Sequence, residues 1–135
     1  MAIHVHCLIY EQDEHVLLVR KRNTQKFMFP GGKPEPGESS SDTIIRECAE
    51  ELQVELDPQR LTFLGEFNAQ AANEPDQTVV AQAWSTTEHI HPHIAAEIAE
   101  LIWWPVSNGP DPHIADLSNR YLVGGALWQS SGGHE

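Results

Sequence analysis

Positive charge is scarce in this chain: eight Lys and Arg stand against 20 Asp and Glu, a formal net charge of -12. That balance excludes a basic groove for polymeric nucleic acid, whose binding rests on neutralising many phosphates. Cysteine is scarce as well. Cys7 and Cys48 form no CxxC or zinc-type spacing and both sit in apolar patterns, which reads as two reduced core thiols in a cytoplasmic protein. Long apolar runs are absent: nothing approaches the 18 or so residues of a membrane-crossing helix. Met1 to Tyr10 lacks the basic start and apolar core of a signal peptide. What remains is 135 residues, enough for one domain with a core that needs no staples. We expect residues 1–135 to form that single domain.

The informative stretch runs from Gly32 to Val54. Gly32 is followed after five residues by Glu38, after seven more by Arg46 and Glu47, then by apolar Cys48, a spacer, Glu50 and Glu51. Ser39, Ser40 and Ser41 offer capping hydroxyls ahead of good helix formers, and Asp42 puts negative charge where the helix dipole favours it. The spacing predicts a helix from about Ser41 to Leu52. On it Glu47, Glu50 and Glu51 fall at i, i+3 and i+4 and share one face, while Ile44, Ile45, Cys48 and Leu52 form the neighbouring apolar stripe.

Each like-charge pair at that spacing is unfavourable by roughly 0.2 to 0.5 kcal/mol in water. A hard divalent cation reverses the sign, because Mg²⁺ or Mn²⁺ takes oxygen ligands and completes its shell with water and phosphate oxygens. The glutamate face therefore reads as a metal platform; a solvated acidic face is the plain alternative in so acidic a chain. Gly31, Gly32 and Gly37 precede it and let main-chain atoms approach a metal or phosphate closely.

Around this stretch, Ile3, Val5, Cys7 and Ile9 alternate with His4, His6, Leu8 and Tyr10 as in a strand buried on one face. Glu11 to Glu14 turns into Val16 to Arg20, expected as its hairpin partner. Leu61 to Asn68 and Thr78 to Thr86 read as strands around a polar loop at Ala71 to Gln77. His93 to Leu101 reads as a short helix or turn, Ile102 to Trp104 as extended. From Pro112, the apolar residues Ile114, Leu117, Tyr121 and Leu122 recur at near-helical spacing, with Gly124 and Gly125 ending a second helix. Leu127 and Trp128 would pack beyond it, ahead of a frayed tail at Gly132 and Gly133. Strands on both sides of a glycine loop and acidic helix give an α+β sandwich.

The residues from Phe29-Pro30-Gly31-Gly32 through Glu38 to Arg46-Glu47 and Glu50-Glu51 resemble the signature of the Nudix hydrolases, in particular MutT-like nucleotide pyrophosphohydrolases. Every ionisable position matches. Gln53 stands where the family has a glycine that closes the helix, so a left-handed cap there would cost on the order of 1 kcal/mol. The resemblance implies an α/β/α sandwich with a mixed central sheet. It also implies Mg²⁺ or Mn²⁺ at Glu47, Glu50, Glu51 and the Gly31 carbonyl, with Glu38 and Arg46 bracing the loop and the glutamates.

The resemblance further implies substrate contacts at Arg20, Gly32 and Lys33 for the phosphates and at Phe29 for the base. Met28, beside Phe29, reads as core. Asn68, Asn73 and Asn119 could each read a base edge; Asn119 matches a base-reading asparagine of a nucleotide-pool relative, with capping or surface roles as the plain alternative. His89, His91 and His93 alternate but lack a fourth zinc ligand, so they read as a polar loop. Glu97 or Glu100 could add a carboxylate from outside the motif. The implied reaction is cleavage of a nucleoside or deoxynucleoside triphosphate to the monophosphate and pyrophosphate. ADP-ribose or a nucleotide sugar is the second substrate class, and a non-catalytic nucleotide sensor the reading from another class. A small nucleotide is the expected partner, without polymeric nucleic acid or membrane; pairing into a homodimer is common in the family.

Overall fold

A computed structural model describes residues 2–71 and 76–123. Asn73 and the predicted features from Gly124 onward, including Leu127, Trp128, Gly132 and Gly133, lie outside the described residues. Strand β1 (Ala2–Leu8) is followed by β2 (Glu11–Gln12), β3 (His15–Lys21), β4 (Gly31–Gly32) and helix α1 (Ser40–Leu52). Then come β5 (Leu61–Gln70), β6 (Thr78–Thr86), β7 (Ile98–Pro105) and helix α2 (Asp116–Val123). The strands form a mixed four-stranded sheet in the order β4-β1-β6-β5 and an antiparallel three-stranded sheet in the order β2-β3-β7. None of the described helices is long and apolar enough to cross a membrane.

The alternation in β3 shows why the sheets sit between two layers. Val16 and Leu18 face one core cluster, with Phe29, Ile114, Tyr121 and Leu122. Leu17 and Val19 face the other, with Ile44, Cys48 and Leu52 of α1. All four β3 residues are fully buried, as period two requires of a strand covered on both faces. The arrangement is an α+β sandwich with α1 on one side and α2 on the other.

Two expectations are corrected. The segment Val16 to Arg20 is not a hairpin partner of β1: β1 pairs with β4 and, in parallel, with β6, whereas β3 pairs with β2 and β7. The chain changes sheet at one peptide, since the Ile9 amide donates to Trp84 and the Tyr10 carbonyl accepts from Leu17. Periodicity reports which face a strand buries, not which neighbour it pairs with. The second correction concerns residues 93–101, of which only the first part is a turn. Ala96 adopts φ 53, and from Ile98 the chain is already strand β7. Ladder bonds to β3 outweigh the weak helical spacing of Glu97 and Glu100.

Candidate functional site

Helix α1 begins as its serines dictate. Ser39 is the cap, its Oγ accepting from the Asp42 amide at 3.1 Å. The helix ends at Gln53, which adopts φ 57 and ψ 38 and donates its amide to Ala49. A glutamine thus occupies the left-handed cap that most residues avoid. Its side-chain amide reaches the carbonyls of His93 and Ile94 at 3.5 and 3.4 Å.

Between those caps the three glutamates diverge in exposure. Glu51 is 1% exposed and Glu47 9%, whereas the Glu50 side chain is 53% exposed. Glycine makes room for Glu47 and for close approach to β1: a side chain on Gly32 would collide with the Glu47 carboxylate, and one on Gly31 with the carbonyl of His6. The Gly31 amide donates to Glu51 Oε1 at 3.2 Å. Glu51 Oε2 has no hydrogen-bond partner; its nearest cation is Lys21 Nζ at 3.9 Å. Burial pushes the Glu51 carboxyl up to about 8, with Lys21 opposing, and burial likewise raises Glu47.

Arg46 gathers the rest. Its Nε donates to Glu38 Oε2 at 2.6 Å and its Nη2 to Glu38 Oε1 and the Lys33 carbonyl, both at 3.0 Å. Its Nη1 reaches Glu47 Oε2 and Glu50 Oε1, both at 3.2 Å. Glu38 also receives the Glu35 amide and the Thr43 hydroxyl. These bonds hold the Glu38 carboxyl down at about 2, the Arg46 bond being the largest cause.

Beside this cluster opens a cavity of about 210 Å³. Lys21, Lys33, Gly31 and Gly32 line one part, and Phe29, Met28, Val5 and Leu117 give apolar walls. Phe29 is held edge-on by Tyr121, with ring centroids 5.9 Å apart. Two predicted contacts lie elsewhere. Arg20 donates to Glu100 Oε1 at 2.7 Å and to the Thr24 carbonyl at 2.8 Å, and does not line the cavity. Asn119 lies outside the lining too: its Oδ1 accepts from the Asp111 amide, and its Nδ2 donates to the carbonyls of Asp111 and Ile114.

Sequence reasoning passed over Lys21. Strand parity was the available signal, since Lys21 shares the face of Leu17 and Val19, the one packed on α1, and Arg20 lies on the other. Of the two acids outside the motif, Glu97 sits 3.8 Å from Lys21 Nζ, while Glu100 is engaged by Arg20. The rings of His89 and His91 meet edge-on at 4.9 Å. Asn68 lies on β5.

The motif's spacing now has a three-dimensional counterpart, and comparison with known proteins gives it a name. The family model described as NUDIX domain matches residues 2–122. The chain belongs to the Nudix hydrolase family. Among solved structures it is similar to the MutT NUDIX hydrolase from Burkholderia pseudomallei, with a TM-score of 0.72 at 20% identity, covering 91% of this chain and 96% of that one. It is also similar to the ORF135 protein of E. coli (TM-score 0.69, 22% identity, 96% and 92% covered). A third likeness is to a bifunctional NMN adenylyltransferase/ADP ribose pyrophosphatase from Francisella tularensis, solved with AMP and a Mn ion (TM-score 0.70, 16% identity, 98% and 42% covered). At these identities the likenesses establish the Nudix fold. No curated protein matches the chain significantly.

Metal ligation is a matter of donor chemistry here. Among the described residues no group of three or more His, Cys, Asp or Glu side chains is already arranged around a common point. Glu47 and Glu50 instead turn toward Arg46. The donor set nevertheless fits a hard cation: the carboxylates of Glu47, Glu50 and Glu51, and among them the unpartnered buried Oε2 of Glu51.

Proposed function

We propose that this Nudix protein is a metal-dependent pyrophosphohydrolase of a small nucleotide, most favourably a nucleoside or deoxynucleoside triphosphate cut to the monophosphate and pyrophosphate. The observation that carries the reading is Glu51, a carboxylate buried to 1% exposure with one oxygen unpartnered, beside Glu47 and next to a cavity with two lysines in its wall. An acid buried that way costs stability unless a cation compensates it. We read residues 1–135 as one such domain in the cytoplasm, a reading its two free, buried cysteines suit.

Glu47, Glu50, Glu51 and the Gly31 carbonyl would hold Mg²⁺ or Mn²⁺, which when bound supplies charge neutralisation at the phosphates and activation of water. The protein's own groups do the rest. Lys21 and Lys33 meet the anionic tail, and the glycine loop lets it approach the backbone. Phe29 and Met28 receive the base against an apolar wall. Glu47 or Glu50 takes the proton as water oxygen attacks phosphorus and the α–β anhydride P–O bond breaks, the electron pair leaving on the oxygen of pyrophosphate or of the monophosphate according to which phosphorus is attacked. Arg46 keeps those carboxylates and the Glu38 loop in register, the usual work of groups just outside a metal's ligands. Lys21 takes over here the phosphate contact expected of Arg20, which is bound to Glu100 and Thr24.

Product analysis tests this. Triphosphates, ADP-ribose and a nucleotide sugar are incubated with Mg²⁺, Mn²⁺ or chelator, and products are separated by chromatography. Metal-dependent pyrophosphate release from a triphosphate is the expected result. Two monophosphate products from ADP-ribose alone would move the assignment to the second substrate class. Tight nucleotide binding without products would make the protein a sensor.

A further inference from the structure

The α2 wall of the cavity holds a polar atom for which the chain itself has no use. Ser118 is 1% exposed and lines the cavity with Ala115 and Leu117, and its Oγ has no hydrogen-bond partner. A hydroxyl shut away from water without a partner is unfavourable to the fold. A helical serine ordinarily escapes this by bonding the carbonyl one turn back. For Ser118 that carbonyl belongs to Ile114, which already accepts from Asn119 Nδ2 at 3.0 Å. The neighbouring amide is the opposite case: Asn119 is bound at both its oxygen and its nitrogen, tying α2 to the Asp111 loop. The paired donor and acceptor of Asn119 is thus spent on structure, and beside His6 and Gln70, the other uncharged polar side chains of the lining, the Ser118 hydroxyl is left without a partner.

We infer that Ser118 Oγ is the group that hydrogen-bonds the polar edge of the nucleobase, and that the site therefore takes keto and amino bases alike. This rests on the nucleotide-hydrolase function proposed above and names the class of base it accepts. With the anionic tail at Lys21 and Lys33, the base lies between Phe29 and the α2 wall. Uracil and cytosine carry an oxygen or an amino group at the same ring position, as guanine and adenine do at theirs. An amide offers a fixed donor beside a fixed acceptor and separates such pairs. A hydroxyl rotates to donate or to accept, and serves both.

The test compares wild type with Ser118→Ala on UTP, CTP and the triphosphate of a pyrimidine without the exocyclic group, and on GTP, ATP and the unsubstituted purine. In wild type the keto and amino members of a pair are expected to have similar kcat/KM. The unsubstituted analogue is expected to have a KM roughly tenfold higher, the value of one lost hydrogen bond. In Ser118→Ala all three collapse to that weaker level with kcat unchanged, while Tm holds or rises because an unpaired hydroxyl has gone. A purely structural serine gives the reverse: a lower Tm with the ratios between nucleotides intact, and that result overturns the inference. So does tenfold or greater separation of keto from amino substrates by wild type. If wild type turns over no nucleotide, dissociation constants of non-hydrolysable triphosphates read the same coupling. Coupling in binding then sustains the role of Ser118 while the hydrolase reading falls; no binding at all overturns both.

Discussion

Both oxygens of Glu38 are occupied: Arg46 grips them side by side, and the Glu35 amide and Thr43 hydroxyl add two more bonds. Glu51, near the far end of the helix that Glu38 precedes, has one bond from the Gly31 amide and one oxygen without a hydrogen bond in the interior. The two carboxyls are displaced from their ordinary value in opposite directions, Glu38 down to about 2 by its partners and Glu51 up to about 8 by its burial. The difference teaches how to divide a functional motif. A group whose hydrogen bonds are complete within the chain holds the structure, and a group left incomplete in a buried position is reserved for a ligand.

Breaking the comparison at Glu51 gives the largest expected effect. Glu51→Gln keeps the acceptor for the Gly31 amide but removes the charge that would meet a cation. Turnover should fall by about 10² to 10⁴-fold, while Tm stays level or rises because a buried carboxylate offset only by Lys21 at 3.9 Å is gone. Steady-state rates and thermal melts on the same preparations check this. Near wild-type turnover would remove Glu51 from the chemistry, and a large loss of Tm would make it a structural residue like Glu38.

Much of this division was legible in the sequence. The spacing from Gly32 to Glu51 gave the helix and put the three acids on one face, and the serines gave its start. Hidden from the sequence was depth: Glu47 and Glu51 turn inward while Glu50 stays in solvent, because α1 packs on Ile44, Cys48 and Leu52 and its acidic face is half covered. Arg20 and Lys21 are adjacent basic residues that only strand parity separates. Asn119 and Ser118 are harder still, since which of two neighbouring polar residues is used up by a loop depends on where Asp111 comes to lie. Sheet membership was equally hidden, because the β1 and β3 patterns describe faces and the crossing at Ile9 and Tyr10 is set by tertiary pairing.

A smaller effect sharpens the Glu38 side. A carboxylate whose folded value is depressed contributes stability in full above its unfolded value, near 4.5, and loses it as pH falls through its folded value, about 2. Glu38→Gln should therefore melt below wild type at neutral pH, by an amount that stays constant down to about pH 5. The gap should close between the ordinary carboxyl value and the folded one. Thermal melts of both proteins across that range supply the test. A gap that persists undiminished in acid would mean that Glu38 acts through packing and neutral hydrogen bonds, and its contrast with Glu51 would lose its electrostatic basis.

The smallest effect is expected at Gln53, where the helix that carries Glu51 ends. Its left-handed backbone, φ 57, is strained for a residue with a side chain, by on the order of 1 kcal/mol. Gln53→Gly relieves that strain but loosens the unfolded chain by about 0.4 to 1 kcal/mol. It also removes the long contacts of the side-chain amide to His93 and Ile94. The three terms nearly cancel, so Tm should move by less than about 4 °C. The consequence for the site is a separate measurement. Residues 93–97 are also pinned to α1 by the His93 and Ala95 amides, which donate to Leu52 and Glu51 at 2.8 and 2.9 Å. Glu97 should therefore stay beside Lys21, and kcat/KM should change less than threefold or so. A much larger loss of kcat/KM at unchanged Tm would show that the Gln53 amide, rather than those backbone bonds, holds the Glu97 loop against Lys21. The glutamine would then be part of how the site is positioned.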